Sequence, residues 1–169
     1  MSITWPTLLA SGLVLAGAVL LLVAALHDIA ARTVPNRLAA ALAVTGIALR
    51  GLGGSLGAGL AIGAVVFCLA ALCWRRGWMG GGDVKLLAAT AIVVPPSLEF
   101  RFVLAVALCG GILALAYLAA RRLVAAPAPA GRPHTLLARA LRAERWRIHR
   151  GGPLPYACAI AAGGLLVLL

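Results

Sequence analysis

Acidic residues are nearly missing from this 169-residue chain: there are four, and only two are aspartates. Charged residues of either sign amount to 11%, against about 25% in a typical soluble domain. That deficit excludes an ordinary water-soluble globule. The four cysteines, Cys68, Cys73, Cys109 and Cys158, all lie inside apolar runs and form no Cys-x-x-Cys pair. Zinc ligation is therefore not expected, and the thiols are read as small residues buried in helices. No metal and no cofactor are anticipated. The N-terminus has no basic stretch ahead of its apolar run, and the run is too long for the hydrophobic part of a cleaved signal. It is expected to remain as a first membrane span.

What the chain does have is hydrophobic sequence: 63% of its residues, with a mean hydropathy of +1.06. Several uncharged runs reach the ~20 residues needed to cross a bilayer, which makes this an integral membrane protein of all-α, helix-bundle class. Its length suits one domain over residues 1–169. The formal charge of +11 comes almost wholly from arginine. Nucleic-acid binding is not expected, because no soluble segment is present to carry a reading motif. The natural partners of this charge are anionic lipid headgroups on the cytoplasmic side of the membrane.

Four uncharged runs are long enough on their own: Thr7–Leu26, Gly51–Trp74, Phe102–Ala120 and Gly151–Leu169. Two shorter ones lie between them, Leu38–Leu49 and Leu86 to about Leu98. If only four cross, Asp28 and Asp83 fall on opposite sides of the membrane. If all six cross, loops 27–37, 75–85 and 121–150 share one face and hold 13 of the 15 Lys and Arg residues. The excess of positive charge on cytoplasmic loops favours six transmembrane helices. Both aspartates then sit at the cytoplasmic face and both termini lie outside.

The two short spans rise only ~20 Å at 1.5 Å per residue, against a hydrocarbon core of ~30 Å. Flanking residues must extend them, or the bilayer must thin. The glycine-rich stretch Gly51–Gly59 is expected to form a tight outside turn, with Gly59 and Gly63 permitting close helix contact. Pro95-Pro96 is expected to end the fourth span. The Pro-rich stretch Ala125–Pro133 reads as a connector. Leu136–Ile148 is either a basic helix on the inner leaflet or an irregular basic loop. Trp74 and Trp78 suit anchors at the inner surface, and Glu144 suits a local pair with arginine.

The two aspartates carry the chemical interest. A carboxylate at membrane depth costs roughly 2.5–3.5 kcal/mol or more, so it marks a functional site by default. Asp28 lies in Asp28-x-x-x-Arg32-x-Val34-Pro35-Asn36 and is expected to end the first span facing the bundle interior. Pro35 and Asn36 suit the start of the next helix, with Asn36 as its cap. Arg32 either pairs with a phosphate or carboxylate or only sets topology. His27 either tunes Asp28 or sits at the membrane interface. Asp83 lies in Gly80-Gly81-Gly82-Asp83-Val84-Lys85, where the glycines allow close backbone approach, as of an extended substrate strand. Lys85 is expected to reach up to the interface. Two carboxylates facing each other share a proton. One can then activate water while its protonated partner polarises a carbonyl, giving a bell-shaped dependence on pH.

These two motifs, with Gly-x-Gly-Asp-x-Lys-Leu at 80–86 and Pro155-Tyr156-Ala157-Cys158-Ala159-Ile160 near the end, resemble the type IV prepilin peptidases, which belong to the GxGD class of membrane aspartic proteases. The resemblance runs through the chain in the same order and implies six spans. It places the catalytic pair at Asp28 and Asp83, supported by Arg32, Pro35, Asn36, Gly80, Gly82 and Lys85. The length is similar to that of the short tight-adherence (Flp) pilus members. Longer members carry a cytoplasmic insert with Cys-x-x-Cys pairs and methylate the new N-terminus; this sequence lacks the insert, so methyl transfer is not implied. The resemblance implies a bacterial inner-membrane enzyme and a prepilin substrate, with a short basic leader before an apolar helix. Cleavage would fall at the cytoplasmic border. Its positive leader would meet basic loops, a conflict that lipid headgroups would have to relieve. Two other readings of the same residues are a transporter subunit handling protons or cations and a non-catalytic pilus-assembly factor. Nothing in the sequence specifies an oligomeric state.

Overall fold

A computed structural model describes residues 5–123 and 154–169, together with 135, 142, 145, 146 and 149. The expected connector at 125–133, the choice between surface helix and basic loop at 136–148, and the pairing of Glu144 lie outside these residues apart from the isolated positions. All regular structure among the described residues is helical. The order is α1 (Trp5–Ala31), α2 (Asn36–Leu52), α3 (Leu56–Arg75), α4 (Gly81–Val93), a short 3₁₀ turn (Pro96–Leu98), α5 (Glu99–Leu123) and α6 (Tyr156–Leu168).

Three of these, α1, α3 and the unit Pro96–Leu123, are long and apolar enough to cross a membrane by length and composition. The other three are shorter: 17 residues in α2, 13 in α4 and 13 in α6. The anticipated lengthening by flanking residues occurs in α2, which takes in Asn36, Arg37 and Arg50–Leu52 and so rises about 25 Å. It does not occur at the far end of α4. That helix stops at Val93, with Val94 and Pro95 extended, because a proline cannot continue the ladder and pushes its predecessor out of the helical region. The fourth apolar run therefore ends sooner than Leu98.

The glycine-rich turn is shorter than expected. Gly51 and Leu52 finish α2, and only Gly53–Ser55 turn the chain, with Gly54 at φ +66°. Gly59 and Gly63 do serve close contact, but with different partners. A Cβ on Gly59 would lie 2.8 Å from the Arg50 stem, and one on Gly63 would lie 2.5 Å from Ile92 of α4.

The short α4 is the centre of the bundle. It packs most extensively on α2 and α3 and also touches α6. Val84, Leu86, Ala88, Ala89, Thr90, Ala91 and Val93 are all buried. The outer helices instead present leucine and valine to the surroundings, as Leu15, Leu22, Leu108 and Leu115 do. This distribution follows from the solvent: apolar side chains facing lipid tails lose nothing by exposure, so the interior selects for small residues and close packing. Thr90, the buried hydroxyl of α4, is satisfied by donating to the Leu86 carbonyl at 2.7 Å.

Candidate active site

The last turn of α1 and the first turns of α4 and α6 meet at one end of the bundle, where Asp28, Asp83 and Tyr156 line one cavity. Asp28 lies in the last turn of α1 and is 5% exposed. Asp83 lies in the first turn of α4. Both line this cavity of about 910 Å³. An arrangement with the two carboxylates on opposite sides of a membrane does not fit this geometry.

The chain around Asp28 is held by contacts from its own turn, from α5 and from α6. The Arg32 amide closes the end of α1 on the Asp28 carbonyl at 2.8 Å. Arg32 itself takes φ +56°, a left-handed position that usually falls to glycine or asparagine. Its guanidinium is anchored on α5: Nη2 donates to the Tyr117 hydroxyl at 3.0 Å, and the charge lies 5.7 Å from that ring's centre. His27 Nδ1–H donates to the Thr33 carbonyl at 2.7 Å. The histidine thus braces the turn after Asp28. Finally, the Ala157 amide at the start of α6 donates to Asp28 Oδ2 at 3.3 Å, which ties the last helix to the first. Cys158 Sγ adds a weak contact to the Ala25 carbonyl at 3.6 Å.

Around Asp83, Gly80 is extended and precedes the helix, and its carbonyl accepts the Asp83 amide at 3.1 Å. Gly82 is needed for a reason other than the one anticipated. It is already helical, and a Cβ there would lie 3.1 Å from Val34 Cβ. It brings α4 against the connector between α1 and α2, and so the second aspartate towards the first. Gly77, with φ +75°, turns the chain between α3 and this loop.

Of the anticipated residues, Asp28, Arg32, Asn36, Gly80, Gly82 and Asp83 line the cavity. Pro35 does not; it is extended (φ −60°, ψ 136°) and takes the cap position expected of Asn36. Asn36 is the first helical residue, and its Oδ1 accepts a hydrogen bond from Lys85 Nζ at 2.9 Å. Lys85 is thereby tied to α2 instead of only reaching for the interface. Trp74 and Trp78 are both exposed, but Trp78 also lines the cavity, with the Arg76 guanidinium 5.3 Å from its ring.

One residue at this end was not singled out from the sequence: Tyr117, which holds Arg32. Tyr156, quoted above within the motif at 155–160 but given no role, lines the cavity. Tyr156 leans on α5 at Gly110, where a Cβ would lie 3.0 Å from its ring. The chain has only two tyrosines, and both finish at the aspartate end. For Tyr117 that scarcity was the available signal.

A family model described as the type IV leader peptidase family matches residues 15–115. The chain belongs to this family. The matched segment runs from within α1 to within α5 and includes both aspartates and the loops that carry them. Comparisons with curated proteins and with solved structures give no match. Membership in a leader peptidase family agrees with the helical, apolar architecture.

Proposed function

We propose that this protein is a membrane aspartic endopeptidase that removes the leader of type IV, Flp-like prepilins, with Asp28 and Asp83 as its catalytic pair. The observation that carries this reading is that the only two aspartates of the chain, brought from different helices, line one cavity. In this reading all six helices cross the bacterial inner membrane, and the cavity opens at the cytoplasmic face. The clustering of basic residues in the loops at that end supports it. The whole of 1–169 acts as one peptidase domain.

The chemistry follows from two carboxyl groups sharing one proton. The ionised member takes a proton from water as the water oxygen bonds to the scissile carbonyl carbon. The protonated member hydrogen-bonds the carbonyl oxygen as negative charge develops there. The resulting tetrahedral intermediate collapses, the C–N bond breaks, and a carboxyl proton passes to the leaving amine. No other reactant is required. The prepilin would place its leader among the loops and its apolar helix in the bilayer.

The test is co-expression with a short Flp-type prepilin, following the substrate's mass and new N-terminus. Wild type should cleave; Asp28→Asn and Asp83→Asn, at matched membrane levels, should not. Cleavage that persists in either variant would remove that aspartate from the pair. If wild type leaves a panel of such prepilins intact, the proteolytic reading is lost.

A further inference from the structure

Beside the aspartate cavity lies a second concavity of about 480 Å³, open along the flank of the bundle. Its existence follows from the packing. The helices α2 and α3 each pack closely on α4 but touch each other much less, so they splay apart above it. The walls are Ala40 and Ala43 of α2 and Ala64 and Phe67 of α3, and the floor is α4 at Ala88 and Ile92. At its inner end stand Asn36 and Lys85, joined by their 2.9 Å hydrogen bond. Asn36 lines both this groove and the aspartate cavity. The groove thus adjoins the site at Asn36, and the Lys85–Asn36 bond stands between them.

We propose that this groove seats the apolar helix of the substrate and delivers the peptide bond at its inner end to the aspartates. The inference rests on the proteolytic reading above and deepens it. Within a bilayer no hydrophobic gain distinguishes a protein helix from lipid tails; what favours a helix is close backbone approach over small residues. Alanines on both walls and on the floor supply that approach. The floor also sets the register. Ala88 lies five residues after Asp83 on one helix, about 7 Å along its axis. A helix resting on Ala88 and Ile92 thus lies less than two turns of α4 from the carboxylate, and an extended segment leading on from it would pass Asn36 to reach the cavity.

Two measurements in native membranes test this. The first compares cleavage of a full-length Flp-type prepilin with cleavage of a peptide carrying only its leader and scissile bond. Filling the groove with Ala40→Leu or Ala64→Leu should lower the ratio of prepilin to peptide cleavage by about ten-fold or more. Gly111→Leu, at an exposed position of α5 with nothing within 4 Å of the new Cβ, should preserve the ratio. The second places a photoreactive aromatic amino acid at Phe67 in an Asp83→Asn background, where the prepilin helix should be the crosslinked product. An unchanged ratio, or crosslinks only to lipid or to a second copy, overturns the groove while wild-type cleavage keeps the proteolytic reading. If wild type cleaves neither substrate, the proteolytic reading fails and the groove's occupant falls with it.

Discussion

The two ends of this bundle each hold acidic and basic groups in a chain almost without acids, yet they use them differently. At the aspartate end, Asp28 and Asp83 open onto a cavity of about 910 Å³, and Arg32, Asn36 and Tyr156 line it with them. At the opposite end, Arg50 lays its stem over Gly59 and donates from Nη2 to the Val93 carbonyl at 3.2 Å, where the short α4 stops. Both carboxylate oxygens of Glu99 are buried there without a hydrogen-bond partner among the described residues. Arg50 serves an orphan carbonyl at a helix C-terminus, a structural need. The comparison teaches that a charge within a membrane bundle becomes a candidate for chemistry when space for a reactant lies beside it.

The sharpest way to break this contrast is to neutralise one acid at each end. Asp28→Asn or Asp83→Asn should cut prepilin cleavage by about 10²–10⁴-fold, the usual worth of positioned acid–base catalysis. Glu99→Gln should leave cleavage close to wild type. Rates per unit of membrane-inserted protein check this, and a loss at Glu99 as deep as that at the aspartates would dissolve the distinction between the ends. The same contrast should appear in the pH dependence. A pair that works with one shared proton loses activity when it gains a second and again when it loses the last. Cleavage should therefore be bell-shaped in pH, with both limbs set by the aspartate end and neither moved by Glu99→Gln.

Glycines offer a finer version of the test. A Cβ on Gly163 of α6 would lie 2.7 Å from the backbone nitrogen of Val106, which cannot move out of the way as a side chain can. Gly163→Ala should cost about 1–3 kcal/mol by overpacking, seen as a lower unfolding temperature in detergent. A Cβ on Gly82 would meet Val34 at 3.1 Å, a milder conflict. Gly82→Ala should lower the unfolding temperature less but reduce cleavage more, since it separates α4 from the connector that follows Asp28.

Much of this site was legible in the sequence. An aspartate at the edge of an apolar run is costly enough to be informative alone, and the pattern of basic loops pointed to both lying together, as they do in one cavity. Proline at 95 and 96 ended α4 as its chemistry requires. Other features depend on neighbours that one-dimensional patterns do not contain. Asn36 is the first helical residue after the extended Pro35, and its side chain meets Lys85, 49 positions away. Gly82 looked like room for a substrate, whereas its space is taken by Val34. Tyr117 sits in a run of alanine and leucine with nothing local to distinguish it; its importance comes from the Arg32 it meets across 85 positions.

That last contact gives the smallest and most specific effect. Arg32 holds an unfavourable left-handed backbone position directly after α1, and its guanidinium is fixed by both the hydroxyl and the ring of Tyr117. Tyr117→Phe keeps the ring and removes the hydroxyl, so it should cost about 0.5–1.5 kcal/mol, the net worth of one hydrogen bond. If the clasp only stabilises the fold, that loss appears in the unfolding temperature and cleavage is unchanged. If it holds the turn that presents Asp28, cleavage falls several-fold as well, and Arg32→Lys, which loses the planar fork but keeps the charge, falls with it. We expect the second result, because the residue that Tyr117 holds also closes the helical turn on the Asp28 carbonyl.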